Sequence, residues 1–160
     1  DKTLDETGKA SIFYDNIMIW AVKNGMIGVN VNYRLAPQFQ YPAVQQDLGA
    51  AVKWVQDNIA RYGGDPAKLY MMGHSAGAGH VGSYVAHPEF GPNGQLGLKA
   101  AVFSSGNFEF APAPGQKTNH PYFGAQAADQ TRPAPMHPTQ SLFAWSCSHA
   151  SPQFFWQTHQ

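Results

Sequence analysis

The pentapeptide Gly73-His74-Ser75-Ala76-Gly77 is the part of this sequence whose residue types and spacing predict chemistry. A serine on a strained turn between a strand and a helix presents its hydroxyl as a nucleophile toward an acyl carbon. Gly73 and Gly77 suit such a turn, because a Cβ at either position would collide with neighbouring backbone. The backbone N–H of Ala76, at the helix start, would stabilise an oxyanion. A simple glycine-rich turn capped by Ser75 is the alternative interpretation, since serine is a favoured N-cap residue.

The pentapeptide needs a strand before it and a helix after it, and the surrounding residues predict both. The short apolar run 69–72 precedes it and a helix over 76–86 follows it. Hydrophobic spacing and turn residues also predict a helix over 11–24 ended by Gly25, a strand over 26–33, a helix from Pro42 to about residue 62, and a buried strand over 98–104. Alternating helices and strands indicate an α/β fold with right-handed crossovers and a parallel sheet covered on both faces.

The pattern weakens after Gly106. Residues 111–138 contain six of the twelve prolines and show no clear period. The apolar run 141–145 predicts one more strand, and Pro152 predicts the start of a last helix through Phe154, Phe155 and Trp156. We therefore predict one partial domain over residues 1–160, with its core in 11–106 and a proline-rich tail in 107–160. Residues 111–151 differ enough in composition that an altered or frame-shifted segment is a further hypothesis.

Composition excludes several classes of partner. The 160 residues are 43% hydrophobic and 12% charged, which is typical of a packed domain and not of a disordered chain. Ten basic residues balance ten acidic ones, so the chain lacks the positive field that nucleic acid or anionic membrane would need. No apolar stretch is long enough to predict a membrane span. Cys147 is the single cysteine, which excludes an internal disulfide and leaves the redox compartment open.

Four linked motifs resemble the hormone-sensitive-lipase branch of the α/β-hydrolase esterases. They are Tyr33-Arg34-Leu35-Ala36-Pro37, the helix running from Gln46-Asp47-Leu48 to Trp54, Gly63-Gly64-Asp65-Pro66, and the pentapeptide around Ser75. The resemblance covers about residues 11–106. It implies a partial α/β-hydrolase core and Ser75 as the nucleophile. It also implies hydrolysis of a small-molecule carboxylic ester through an acyl-enzyme, without a metal or organic cofactor.

The other residues of these motifs have structural interpretations. We expect Arg34 and Asp47 to form a buried or half-buried ion pair that supports the scaffold, and Trp54 to contribute bulk to the core or to helix packing. His74 adjoins the serine, but neighbouring side chains of a strand point to opposite faces. It is therefore a poor candidate for the catalytic base.

Three parts expected from the resemblance are missing. No His-Gly-Gly motif is present, and Asp1-Lys2-Thr3 resembles the residues that follow it, so we expect the chain to begin just after that motif. The position of the catalytic acid corresponds to Ser151. The carboxylates after Ser75, none in a suitable context, are Glu89, Glu109 and Asp129. The histidines after Ser75, none of which the sequence singles out as the base, are His80 and His87 on the predicted helix and His120, His137, His149 and His159 in the tail.

The sharp strand-to-helix turn that carries Ser75 is called the elbow below. A serine at such an elbow without an acid and a base is an ordinary alcohol. We therefore expect a carboxylic-ester hydrolase segment that is weakly active or inactive by itself. The alternative is a non-catalytic relative that serves as a binding or scaffold domain. A peptidase of the same fold is a third hypothesis, which the motifs around Tyr33 and Ser75 disfavour. Because strands before the first helix would be missing, we also expect an exposed sheet edge and self-association through it.

Overall fold

A computed structural model describes residues 12–106, Tyr122 and residues 153–157 of the chain. The predicted helix–strand alternation is confirmed through the sixth element. The helices are α1 (Ile12–Lys23), α2 (Ala43–Asn58) and α3 (Ala76–Ala86), and the strands are β1 (Ile27–Val31), β2 (Leu69–His74), β3 (Ala100–Ser104) and β4 (Gln153–Gln157). Single 3₁₀ turns follow α2 at Ile59–Tyr62 and lie between α3 and β3 at Pro88–Phe90 and Pro92–Gly94.

The end of α1 follows from one glycine. Gly25 has φ +70°, a left-handed conformation that a residue without Cβ adopts at little cost. There the amide of Gly25 donates to the Val22 carbonyl at 3.1 Å, and the amide of Met26 donates to the Ala21 carbonyl at 2.9 Å. The Ala21 carbonyl also accepts from the Asn24 amide at 3.0 Å, so these bonds together satisfy the carbonyls of Ala21 and Val22 in the last helical turn. The chain then enters β1 directly, as the sequence predicts.

The main core lies between the sheet and the helices α2 and α3. Its most deeply buried members, each at most 1% exposed, are Val44, Leu48, Val52, Val55, Ile59, Leu69, Met71, Val81 and Tyr84. On β1, Ile27, Val29 and Val31 pack into this cluster, whereas a Cβ at Gly28 would meet Met18 of α1. Because successive strand residues face opposite sides, α1 covers one face of the sheet and α2 with α3 the other. This confirms the predicted two-sided covering.

The described sheet is entirely parallel, with the order β1-β4-β2-β3. Strand β4 pairs with β1 from Ile27↔Gln153 to Val31↔Gln157, and with β2 from Leu69↔Gln153 to Gly73↔Gln157. The predicted last helix through Phe154, Phe155 and Trp156 is therefore wrong. Three consecutive aromatic residues favour a strand, and a helix there would leave the facing edges of β1 and β2 without backbone partners.

Two burial predictions also need correction. The strand over 98–104 is present as the shorter β3, but it is not fully buried, since Val102 is 40% and Phe103 is 36% exposed. β3 is one of the two outer strands of the described sheet, so it has a neighbouring strand on one side only. Trp54 is 49% exposed and does not belong to the core. It follows the buried Val52 by two residues, which turns it to nearly the opposite side of α2.

Some predictions concern residues that the structure does not describe. The loop over 1–10, the strand over 141–145 and the irregular character of most of the tail lie outside the described residues. Of the helices that the structure does describe, none has both the length and the apolar character required to cross a bilayer.

Candidate active site

Ser75 is the single residue between the end of β2 at His74 and the start of α3 at Ala76. Its backbone has φ 55° and ψ −123°, a conformation that L-residues other than glycine rarely adopt. Such a conformation costs about 1–3 kcal/mol and persists only where the surrounding structure imposes it. The strand-to-helix turn is therefore as sharp as the sequence predicts, and it places Ser75 at the carboxyl edge of the parallel sheet.

Gly73 permits the close approach of β2 and α3 on which this turn depends. A Cβ at Gly73 would lie 2.4 Å from the carbonyl oxygen of Gly77 and 2.7 Å from the amide nitrogen of Ala78. Both distances are far shorter than van der Waals contact, and both atoms belong to backbone that cannot rotate away. Gly77 itself is buried in the first turn of α3. These distances give a steric reason for glycine at position 73.

Backbone hydrogen bonds hold both sides of the serine. The Ser75 carbonyl accepts from the amides of Ala78 at 3.0 Å and Gly79 at 3.4 Å, which joins the turn to α3. The Ser75 amide donates to the carbonyl of Ser104 at 2.9 Å, which joins the turn to the end of β3. Ala76 is the first residue of α3, so its amide has no acceptor within the helix. That free helical amide and the positive end of the helix dipole suit an oxyanion.

The two described histidines that follow Ser75 are engaged elsewhere. The ring of His80 packs edge-to-face against Tyr33 at 5.1 Å and Tyr122 at 4.8 Å between ring centroids. His87 Nδ1 lies 2.8 Å from Oε1 of Glu89, whose side chain is 61% exposed. A hydrogen bond with its own backbone, followed by the one with His87, lowers the pKa of Glu89.

No described histidine or carboxylate therefore hydrogen-bonds to the Ser75 side chain within residues 12–106 and 153–157. The other predicted candidates lie outside the described residues: His120, His137, His149, His159, Glu109, Asp129 and Ser151.

Tyrosines cluster around the buried Tyr122, and the sequence did not predict this cluster. The Tyr122 hydroxyl donates to Oε1 of Gln45 at 2.6 Å, and the Tyr122 carbonyl accepts from the Tyr41 amide at 2.9 Å. Tyr122 is 6% and Gln45 is 0% exposed. Burial raises the pKa of Tyr122 well above its usual range and that of Tyr33 to about 12. Burial thus reinforces the neutral form that both hydroxyls already have at pH 7. Tyr122 thus fastens the chain after β3 to the start of α2.

The predicted ion pair between Arg34 and Asp47 is present and half-buried. Arg34 Nε donates to Asp47 Oδ1 at 2.9 Å, and the Arg34 amide donates to Asp47 Oδ2 at 2.9 Å. The two side chains are 41% and 20% exposed. The hydrogen bond to Asp47 raises the pKa of Arg34. Asp47 thereby holds the loop after β1 against α2, which is the supporting role expected from the sequence.

The chain is similar to one family model and to several esterases and hydrolases. The family model described as BD-FAE matches residues 4–93, which is more than half of the chain. The carboxylesterase NlhH of Mycobacterium tuberculosis is 46% identical over 66 residues, and the esterase LipQ of the same organism is 39% identical over 85 residues. An AB hydrolase superfamily protein of Schizosaccharomyces pombe is 34% identical over 65 residues.

These alignments cover 41%, 53% and 41% of this chain. They cover 20%, 20% and 19% of the respective relatives, so the matched part of the chain spans about one fifth of their length. Together with the parallel sheet and its flanking helices, these similarities identify the described structure as a partial α/β-hydrolase core.

Proposed function

Because the chain belongs to the BD-FAE family, we propose that it carries the nucleophile segment of a carboxylic-ester hydrolase, with Ser75 as the nucleophile. The observation that carries this proposal is the strained backbone of Ser75 at the junction of β2 and α3. A serine that only capped a helix would have no need of a positive φ, since an N-cap residue ordinarily lies in the β region. The named carboxylesterase and esterase relatives support the same reaction class.

The proposed reaction uses Ser75 in two steps. Its Oγ attacks the ester carbonyl carbon, loses its proton to a base, and forms a tetrahedral oxyanion. The amide of Ala76 donates a hydrogen bond to that oxyanion, which then collapses with release of the protonated alcohol and leaves an acyl-enzyme. Water hydrolyses the acyl-enzyme and regenerates the hydroxyl. Gly73 and Gly77 contribute by allowing the turn, and no metal or organic cofactor enters the proposal.

We propose that residues 1–160 form a single partial domain whose ester hydrolysis is weak or absent when the chain acts alone. The physical reason is the environment of the Ser75 hydroxyl, which has no hydrogen-bonded histidine among the described residues. Loss of the base and its orienting acid costs orders of magnitude in turnover, because the alcohol then keeps its ordinary high pKa. A small-molecule ester is the proposed substrate.

Turnover of p-nitrophenyl acetate and p-nitrophenyl butyrate tests both parts of the proposal. For the 160-residue chain we expect a rate near that of the Ser75→Ala variant. A Ser75-dependent rate typical of esterases would show that the chain contains its own base, which would contradict the weak-activity proposal. In any longer protein that includes this segment, we expect Ser75→Ala to lower kcat by at least about 10³-fold.

A matched control for this experiment lies on α3. Ser83→Ala removes a hydroxyl whose oxygen is buried without a hydrogen-bond partner among the described residues, so kcat should stay unchanged. Equal activities of the Ser75→Ala and Ser83→Ala variants in an active longer protein would overturn the assignment of the nucleophile. If that longer protein binds esters without any Ser75-dependent turnover, the alternative of a non-catalytic binding or scaffold domain is favoured instead.

We also propose that the chain associates with itself through an exposed sheet edge. The outer strands of the described sheet are β1 and β3. β3 exposes the apolar side chains of Val102 and Phe103 and carries no charged residue or proline. Proteins protect outer strands with such residues because an unprotected strand pairs readily with another chain.

A further inference from the structure

Ser105, like Ser75, has a positive backbone φ angle. Within the described residues, three non-glycine residues have positive φ: Ser75 at 55°, Asn93 at 56° and Ser105 at 52°. Asn93 lies in the 3₁₀ turn Pro92–Gly94, and asparagine tolerates this conformation comparatively well. Serine at positive φ is less expected. The pairing of β2 with β3 brings the two strained serines to the same edge of the sheet.

A single hydrogen bond connects the two strained positions. β2 and β3 pair in parallel from Tyr70↔Ala100 to His74↔Ser104, and the Ser75 amide then donates to the Ser104 carbonyl at 2.9 Å. That carbonyl and the amide of Ser105 belong to the same peptide unit. The left-handed conformation of Ser105 comes immediately after this contact, where β3 ends. The orientation of the acceptor is thus coupled to the conformation of Ser105.

Strained residues persist where neighbouring structure imposes them, and they concentrate at functional sites. The Ser75 carbonyl is already held by the amides of α3, so the Ser104 carbonyl supplies the restraint on the other side of the residue. Gly106 follows Ser105 and would adopt positive φ without strain, yet the turn occurs one residue earlier. The positive φ at Ser105 comes directly after the last residue of β3, beside the turn that carries Ser75.

We propose that Ser104 and Ser105 form a clamp that positions the nucleophile: the carbonyl of Ser104 holds the amide of Ser75, and the left-handed turn at Ser105 keeps that carbonyl in place. This inference rests on the proposed role of Ser75 and adds two positioning residues to it. The clamp acts through the backbone. The Ser105 side chain is therefore replaceable by any residue that accepts positive φ, and glycine is the best of these.

Amide hydrogen exchange, followed by NMR on the 160-residue chain, tests the clamp without requiring activity. In Ser105→Val the β-branched side chain opposes positive φ, and we expect exchange at the Ser75 amide to accelerate about tenfold relative to the amide of Met71 in β2. In Ser105→Gly the left-handed turn is retained, so the protection of Ser75 should equal that of the unaltered chain.

Asn93→Val is the matched control, because it opposes the same positive φ at a position outside the β2–β3 edge. It should lower overall stability to a similar extent and leave the Ser75-to-Met71 exchange ratio unchanged. The proposal is overturned if Ser105→Val leaves that ratio unchanged, or if Asn93→Val alters it equally. The proposed function has a separate readout. It fails if Ser75→Ala and Ser83→Ala show equal ester turnover in an active longer protein, whatever the hydrogen-exchange result.

Discussion

At the scale of single residues, the site depends on how little space separates β2 from α3. Ser75 adopts its strained backbone because Gly73 lets the helix lie directly against the strand. A hydrogen bond at each side of Ser75 then stabilises a conformation that an isolated serine avoids. The chemistry proposed for Ser75 therefore depends on Gly73, whose lack of a Cβ allows the turn.

Gly73→Ala tests that dependence. The added Cβ would lie 2.4 Å from the Gly77 carbonyl oxygen, so backbone must move, and we expect the free energy of unfolding to fall by about 3 kcal/mol. Gly25→Ala is the control, since its Cβ would meet nothing within 4 Å and only the left-handed backbone opposes it, at about 1 kcal/mol. Urea denaturation measures both. Equal losses for the two variants would show that the approach of α3 to β2 does not require glycine.

At the scale of elements, side chains from the loops bind the helices to the sheet. Asp47 of α2 accepts hydrogen bonds from the backbone and the guanidinium of Arg34, which fixes the loop after β1. Tyr122 does the same for the chain after β3 through Gln45, also on α2. Helix α2 is thus the element on which both the loop after β1 and Tyr122 are anchored.

Tyr122→Phe tests the second of these anchors. Removal of the hydroxyl leaves the buried Oε1 of Gln45 without its donor, in a side chain whose Nε2 already has no partner among the described residues. A buried polar atom that loses its partner costs about 1–3 kcal/mol, and we expect a loss of that size in thermal or urea denaturation. Tyr62→Phe, at a side chain 62% exposed, should stay within about 0.5 kcal/mol of the unaltered chain. A Tyr122→Phe variant as stable as Tyr62→Phe would contradict the anchoring role.

At the scale of the whole molecule, the sheet joins segments that are distant in the sequence. β4 begins 49 residues after Ser104, yet it occupies an inner position between β1 and β2. Its final pair, Gln157 with Gly73, lies two residues before Ser75 on the neighbouring strand. The end of β4 is therefore brought to the edge of the sheet that carries the elbow.

The proposed self-association through β3 also belongs to the scale of the whole molecule. We expect Val102→Lys to reduce the association measured by sedimentation velocity, because a lysine on an outer strand opposes pairing with a second strand. Trp54→Lys adds the same charge at an exposed apolar side chain of α2 and should leave association unchanged. The proposed edge is contradicted if the unaltered chain is monomeric, or if the two variants reduce association equally.

The local features of this protein could be predicted from its sequence, because each depends on residues close together in the chain. The apolar repeat of α2, the turn at Gly25 and the glycine spacing around Ser75 each specify an element or a turn by themselves. The motifs from Tyr33 to Gly77 resemble the α/β-hydrolase family. The matched family model and the relatives agree with this identification. The role of Ser75 remains a proposal.

Only the tertiary structure decided which elements become neighbours. The segment Phe154-Phe155-Trp156 is compatible with either a helix or a strand by composition, and pairing with β1 and β2 selects the strand. The exposure of Trp54 and Phe103, and the contact of Tyr122 with Gln45, likewise depend on partners distant in the sequence. The sequence specifies which residues of each element are available for burial or pairing. The free energy of burial and pairing comes from contacts between elements, and these contacts exist only in the folded chain.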